Sequence, residues 1–198
     1  MSVQIAPNIN KISLGLIVVI IQMFLYVNAG AIFPEQYVEQ ARNIILLYMV
    51  MTFAFTIVTN YIPTEVKRPF TEELLMFFVS FFLFAGLLSA IPISSTGAHM
   101  FQINEAVKIA LPFMLLFAFV VAYTEELIFR GVLPKFLGVV LSNVLFGVFH
   151  WYAYHGNIYS ILIATMFGFI FSFVAEKFGL MGSVGMHTAW NLKILGAF

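Results

Sequence analysis

Three ionisable side chains lie within six residues of a chain that is otherwise strongly apolar: Glu125, Glu126 and Arg130. Only 9% of the 198 residues are charged, whereas 62% are apolar. Ionisable groups inside apolar helices are costly, so they indicate a functional site by default. Because a buried carboxylate can act as a general base, this cluster is the first candidate for chemistry.

The spacing of the three side chains predicts that they divide between two faces of a helix. Glu126 and Arg130 are i,i+4 neighbours and can form an ion pair on one face. Glu125 is turned by about 100° from Glu126 around the helix axis, which leaves its carboxylate for other partners. The competing interpretation is a cluster at a helix end that extends to the lipid headgroups.

Two histidines can reach the same layer of the membrane as Glu125. Counting the helical rise along the predicted spans places Glu125, His150 and His187 at a common depth. Phe146 precedes His150 by four residues and would shield its imidazole from water, while Asn191 follows His187 by four and adds a hydrogen-bond donor. The other two histidines, His99 and His155, fall in predicted loops and receive no role.

The elements that must position these residues are transmembrane helices. A bilayer core of ~30 Å requires about 20 apolar residues in a helix. Seven apolar stretches qualify or nearly do, which predicts an all-α, polytopic transmembrane bundle of about seven spans. The predicted spans are 12–32, 43–62, 73–93, 109–130, 136–153, 158–175 and 180–197.

The length predicts a single integral membrane domain over residues 1–198. Residues 12–106 form N-terminal spans without a motif, and residues 107–198 form the helices that carry the candidate site. The common depth requires residues 131–138 to form a short turn around Pro134, so that the next helix starts near Val139.

The basic residues predict a cytoplasmic N-terminus, because loops on the cytoplasmic side carry an excess of lysine and arginine. Six basic residues fall at cytoplasmic ends in this orientation and three at the other face. The first group is Lys11, Lys67, Arg68, Arg130, Lys135 and Lys177, and the second is Arg42, Lys108 and Lys193. We expect a multi-pass protein of the cell (plasma) membrane, surrounded by its lipids.

Composition excludes several classes of function. The chain has no cysteine, so it offers no disulfide, thiol nucleophile or thiolate metal site. It also has no aspartate, so carboxylate chemistry must come from glutamate. Because the net charge is zero and no basic run is present, we expect no nucleic-acid partner.

The charged cluster and the two histidine pairs together resemble the motifs of a known family. The chain contains Glu125-Glu126-x-x-x-Arg130, Phe146-x-x-x-His150 and His187-x-x-x-Asn191. These are similar to the three motifs of the CPBP family of CAAX proteases and bacteriocin-processing enzymes. This family is also called the Abi group, and it includes the type II CAAX prenyl endopeptidases. The similarity covers residues 123–193.

The resemblance implies an intramembrane glutamic endopeptidase that uses no metal or other cofactor. By motif position, Glu125 and His150 would activate the attacking water, while His187 and Asn191 would stabilise the oxyanion. The resemblance implies a supporting role for the remaining motif residues, Glu126, Arg130 and Phe146. The expected partner is a membrane-associated peptide or a lipidated protein as substrate.

Other functions fit the same residues. Glu125, His150 and His187 could bind zinc in a membrane hydrolase, although the compact His-Glu-x-x-His arrangement is absent. A non-proteolytic scaffold or bacteriocin-immunity protein could bind a peptide in a cavity lined by these residues. A transporter or proton relay could also use intramembrane glutamate and histidine.

Overall fold

The computed structural model describes residues 9–61, 69–90, 111–151, 156–195 and 197. Within these ranges, the side chains of residues 9–13, 60 and 61 are not described. His99 and His155 lie outside the described residues.

The described ranges are almost entirely helical and contain no strand. This confirms the predicted all-α fold, and each of the seven predicted spans coincides with a helix of at least 15 residues. The helices are α1 (Ile9–Val27), α2 (Ala29–Ile32), α3 (Val38–Tyr61), α4 (Phe70–Ser89), α5 (Leu111–Glu126), α6 (Leu133–Phe149), α7 (Ile158–Phe178) and α8 (Leu180–Ile194). A 3-10 turn covers Glu35–Tyr37, and a π-helical turn covers Leu127–Val132.

The outer surface of the bundle is apolar. Leu83 is 71% exposed and Phe82 67%, and many other large apolar side chains are similarly placed. Four helical segments are long and apolar enough to cross a membrane: Glu35–Thr59, Phe70–Ser89, Leu111–Phe149 and Ile158–Phe178. A surface of this kind suits lipid rather than water, so the chain is an integral membrane protein. The count of about seven spans is an approximation, since the shorter helices fall below this length.

Among the seven helices that coincide with predicted spans, α8 is the shortest, with 15 residues, yet it lies at the centre of the bundle. It packs against α4, α5 and α7, and more than half of its residues are buried. Its approach to α4 depends on Gly185, where an added Cβ would lie 2.2 Å from the carbonyl oxygen of Phe77. Small residues allow such close helix contacts in membranes. The predicted pair His187 and Asn191 is therefore carried by a central helix.

The chain folds back within α6 at Gly138, which has a φ of 77°. Glycine adopts this conformation without the steric penalty of a side chain. After the reversal, Ser142 Oγ on α6 donates a hydrogen bond of 2.6 Å to the carbonyl oxygen of Phe129. The predicted helix start near Val139 is confirmed. The predicted turn over 131–138 is wrong for residues 131–137, which belong to the π-helical turn or to α6 up to the glycine.

The N-terminal helices join the core through a buried polar network. Gln22 Nε2 on α1 donates to Thr52 Oγ1 on α3 at 3.0 Å and to Thr124 Oγ1 on α5 at 3.2 Å. The two hydroxyl oxygens are 2.6 Å apart, and all three side chains are fully buried. Polar groups inside a membrane bundle must find partners within the protein. This network therefore fixes α1 and α3 against the helix that carries Glu125.

Candidate active site

The charged cluster lies inside the bundle. Glu125 is 2% exposed, Glu126 0% and Arg130 9%. The competing interpretation, a cluster extending to the lipid headgroups, is therefore wrong. Because Arg130 is a buried partner of Glu126, it does not count toward orientation. The predicted cytoplasmic ends then carry five basic residues against three, and the cytoplasmic N-terminus stays a prediction.

The cluster spans a change of helix type, since α5 ends at Glu126 and the π-helical turn starts at Leu127. A π-helical turn contains an additional residue and changes the direction of the side chains, and such turns are frequent at functional sites. Despite this change, Arg130 Nη1 lies 3.0 Å from Glu126 Oε1, as the i,i+4 spacing predicts. The predicted pairing is confirmed.

Glu126 has more partners than its arginine. Ser183 Oγ donates to Glu126 Oε2 at 2.5 Å, and His187 Nδ1 lies 2.7 Å from Glu126 Oε1. Both partners belong to α8. A buried ion pair requires additional hydrogen bonds, and these contacts provide them for both oxygens of Glu126. Glu126 thus joins Arg130 to the central helix.

Arg130 is enclosed by α7 and by aromatic rings. Its Nη2 donates to the carbonyl oxygen of Gly168 at 3.0 Å. Its guanidinium carbon lies 4.1 Å from the ring centroid of Phe146 and 5.4 Å from that of Phe171. A guanidinium favours such faces by cation–π attraction. Arg130 therefore connects the first motif with the helices that surround the two histidines.

Glu125 points away from Glu126 and has a different environment. Its Oε1 accepts a hydrogen bond from the Tyr48 hydroxyl on α3. Its Oε2 lies 3.6 Å from His150 Nε2 and 3.6 Å from His187 Nε2. The predicted convergence of Glu125, His150 and His187 is confirmed by these two distances. Oε2 is buried and has no hydrogen-bond partner among the residues that the structure describes.

The hydrogen bonds of the two histidines define which nitrogen of each carries a proton. His150 Nδ1 lies 2.8 Å from the carbonyl oxygen of Phe146, which can only accept. His187 Nδ1 lies 2.7 Å from the Glu126 carboxylate, which also accepts. In both rings Nδ1 therefore donates. In its neutral form, each imidazole would consequently direct an unprotonated Nε2 toward the same oxygen of Glu125.

Aromatic rings enclose the two imidazoles. The Phe146 centroid lies 4.6 Å from that of His150 and 5.7 Å from that of His187. Phe171 stacks on His187 with a centroid distance of 4.8 Å and an angle of 20° between the planes. The expected contact of Phe146 with His150 is confirmed. These rings limit access of water to the polar atoms, whose interactions are stronger in such surroundings.

Asn191 lies one turn beyond His187 on α8, as the sequence predicts. Its Nδ2 donates to the carbonyl oxygen of Ala118 on α5 at 3.5 Å, which is long for a hydrogen bond. The side chain thus faces α5, the helix that carries Glu125.

Two contacts of the carboxylates were not predicted from the sequence. Tyr48 lies in the N-terminal part, where no motif is recognisable, and Ser183 stands among the small residues of α8. A tyrosine in an apolar span and a serine beside glycines are both typical of packing positions. Neither therefore gave a sequence signal of contact with Glu125 or Glu126.

Metal ligation by this site is not apparent in the described part of the chain, where no group of three histidine or glutamate side chains has the geometry to hold a metal ion. The zinc hypothesis predicts such a group at Glu125, His150 and His187. The zinc hypothesis stays a prediction, which metal analysis of the purified protein tests.

The fold and the site define a class: a multi-helix membrane protein with buried glutamates and histidines at its centre. The family model described as type II CAAX prenyl endopeptidase Rce1-like matches residues 107–193, just under half of the chain. This match confirms the family resemblance seen in the three motifs, and it covers the part of the chain that carries them. No curated protein and no solved structure matches the chain.

Proposed function

We propose that the protein is an intramembrane glutamic endopeptidase that hydrolyses a peptide bond of a membrane-associated or lipidated peptide. The observation that supports this most directly is the environment of Glu125 Oε2. The atom is buried, has no hydrogen-bond partner among the described residues, and lies 3.6 Å from the Nε2 atoms of two histidines.

Three acceptor atoms face one another at this point. Nδ1 donates in both imidazoles, so in their neutral form the two Nε2 atoms and the Glu125 carboxylate oxygen can each accept a hydrogen bond. The separation of 3.6 Å is too long for a direct hydrogen bond, and such distances suit a bridging water. A water molecule has two protons, so at any one time it can donate to Glu125 Oε2 and to one of the two Nε2 atoms.

The proposed reaction starts with this water. Its oxygen forms a bond to the peptide carbonyl carbon while Glu125, assisted by His150, takes up one proton. The electron pair of the carbonyl double bond moves to the oxygen and produces a tetrahedral oxyanion. When the pair returns, the C–N bond breaks and the amine leaves with the proton that Glu125 held. One peptide bond and one water thus give a carboxylic acid and an amine.

Stabilisation of the oxyanion is assigned to His187 and Asn191. His187 already donates Nδ1–H to Glu126, so before the reaction its Nε2 must take up a second proton from the solvent in order to donate to the oxyanion. The adjacent Glu126 carboxylate balances the charge of that imidazolium, as the carboxylate of a catalytic triad does. Asn191 would exchange its long hydrogen bond with Ala118 for one to the substrate, which sacrifices little interaction energy.

The substrate class follows from the family description. A CAAX peptide is a C-terminal Cys-aliphatic-aliphatic-X sequence that is prenylated on its cysteine. We propose a substrate of this kind, which would enter from the surrounding lipid. A farnesylated, internally quenched CAAX peptide is the suitable probe. The same peptide without the prenyl group tests whether the lipid is required: equal cleavage of both would leave the peptidase proposal intact but contradict the prenyl requirement.

The first prediction concerns the rate of cleavage of this probe by purified protein in lipid vesicles. Glu125→Gln, Glu125→Ala and His150→Ala should each lower kcat by about 10²- to 10⁴-fold, because each removes proton transfer in the transition state. Glu176→Gln is the matched control, since Glu176 is exposed and its ion pair within the described ranges is with Lys177. Cleavage by Glu125→Ala or His150→Ala at the wild-type rate would show that the assignment is wrong.

The proposed reaction uses no metal. Elemental analysis of active, chelator-treated protein checks this point. Full activity without bound metal is expected, whereas loss on chelation with recovery on adding zinc would favour the zinc hydrolase. A cellular phenotype that survives Glu125→Gln unchanged would favour the scaffold or immunity function.

A further inference from the structure

We propose that Tyr48 is a positioning residue for the Glu125 carboxylate, an inference that rests on the proposed function. Tyr48 lies on α3, far in sequence from the three motifs and outside residues 107–193. Its hydroxyl donates to Glu125 Oε1, and its side chain is buried. Tyr48 therefore contacts the group to which we assign water activation.

A glutamate needs such a partner to present one defined oxygen. The last torsion of its side chain has broad minima, so its two oxygens readily exchange places. With Oε1 held by the Tyr48 hydroxyl, Oε2 is the oxygen that lies 3.6 Å from both Nε2 atoms. Catalytic geometry depends on side chains whose orientation is fixed by neighbouring hydrogen bonds. Tyr48 provides this restraint from the opposite side of Glu125.

Tyr48 is itself held by the buried network between α1, α3 and α5. Thr52, one turn further along α3, donates to the backbone carbonyl of Tyr48 at 2.8 Å and lies 2.6 Å from Thr124 Oγ1. Thr124 directly precedes Glu125 in the chain, and Gln22 donates to both threonine hydroxyls. The network thus connects the segment around Tyr48 with the segment around Glu125. It gives the N-terminal helices a part in the site.

The test is Tyr48→Phe, which removes the hydroxyl and keeps the ring. Hydrogen bonds to charged groups contribute enough to change a rate by about 10- to 100-fold. We expect kcat for the farnesylated CAAX peptide to fall by this factor and KM to stay within about twofold. A tyrosine with a purely structural role would change the melting temperature but not kcat per folded molecule, so both are measured on the same preparation.

Tyr123→Phe is the matched control. Tyr123 is another buried tyrosine, its ring lies 6.2 Å from that of Phe119, and the charged group that interacts with its hydroxyl is Glu73 rather than Glu125. Wild-type kcat for Tyr48→Phe, or equal losses for both tyrosine variants, would overturn the positioning role. Glu125→Gln in the same assay separates the two proposals. If it is inactive while Tyr48→Phe is fully active, only the role of Tyr48 is wrong; if it is fully active, the proposed function is wrong.

Discussion

The two adjacent glutamates have opposite environments. Glu126 contacts Arg130, Ser183 and His187 at hydrogen-bond distance, so its negative charge is balanced and its oxygens are satisfied. Among the residues that the structure describes, Glu125 has one hydrogen bond, from Tyr48, and its other oxygen lies 3.6 Å from two imidazoles. Both oxygens of Glu126 are therefore hydrogen-bonded within the protein, whereas Glu125 Oε2 has no partner among the described residues.

This difference indicates a structural role for Glu126 and a chemical role for Glu125. A buried carboxylate that is fully paired contributes to the stability of the native bundle, and removing it leaves its partner unpaired. A buried acceptor without a partner is costly and is retained when a ligand or a reaction uses it. The neighbourhoods of Glu126 and Glu125 therefore predict different consequences for the same substitution.

The largest effect on stability is expected for Glu126→Gln. It leaves the buried Arg130 charge without its counter-charge, which typically destabilises a protein by about 3–5 kcal/mol. The melting temperature of the purified protein in detergent measures this loss. An unchanged melting temperature would contradict the supporting role of Glu126 and weaken the distinction between the two glutamates.

A large effect on rate, with little change in stability, is expected for Asn191→Ala. Loss of one oxyanion donor typically lowers kcat by about 10²- to 10³-fold. The bond that Asn191 makes to Ala118 is long, so the melting temperature should change little. Steady-state kinetics with the farnesylated probe provide the check. A wild-type kcat would exclude Asn191 from the oxyanion site.

The smallest effect is expected for Ser183→Ala. It removes one of the hydrogen bonds to Glu126, and polar contacts inside membrane bundles contribute about 1 kcal/mol each. The carbonyl oxygen of Phe171 lies 3.0 Å from the same hydroxyl and competes with Glu126 for its single proton. A modest fall in melting temperature with kcat nearly unchanged would show that Ser183 stabilises the fold through Glu126 and takes no part in the reaction. A kcat loss as large as that of Asn191→Ala would mean that Glu126 takes part in the chemistry more directly.

The sequence predicted the contacts that depend on helical spacing. The pairing of Glu126 with Arg130 and the contact of Phe146 with His150 are both i,i+4 relations, which can be counted along the chain. The meeting of Glu125, His150 and His187 followed from depth alone. The change to a π-helical turn after Glu126 gave no recognisable pattern, yet the pairing persists across it.

Contacts between helices that are distant in the chain could not be predicted from the sequence. Tyr48 meets Glu125 and Ser183 meets Glu126 because of how α3 and α8 are rotated about their axes. Packing against neighbouring helices determines that rotation, and no local pattern records it. The sharing of His187 between both glutamates has the same origin. The division at residue 107 stays a prediction, although Tyr48 shows that the N-terminal helices reach Glu125.

The most direct test of the central claim compares Glu125→Gln with Glu126→Gln for both rate and melting temperature. At Glu125 the new amide can still accept from Tyr48 and can donate toward an imidazole Nε2, so the fold should be retained. We predict that Glu125→Gln loses cleavage of the farnesylated peptide while keeping its melting temperature, and that Glu126→Gln loses stability. Cleavage by Glu125→Gln at the wild-type rate would contradict the account.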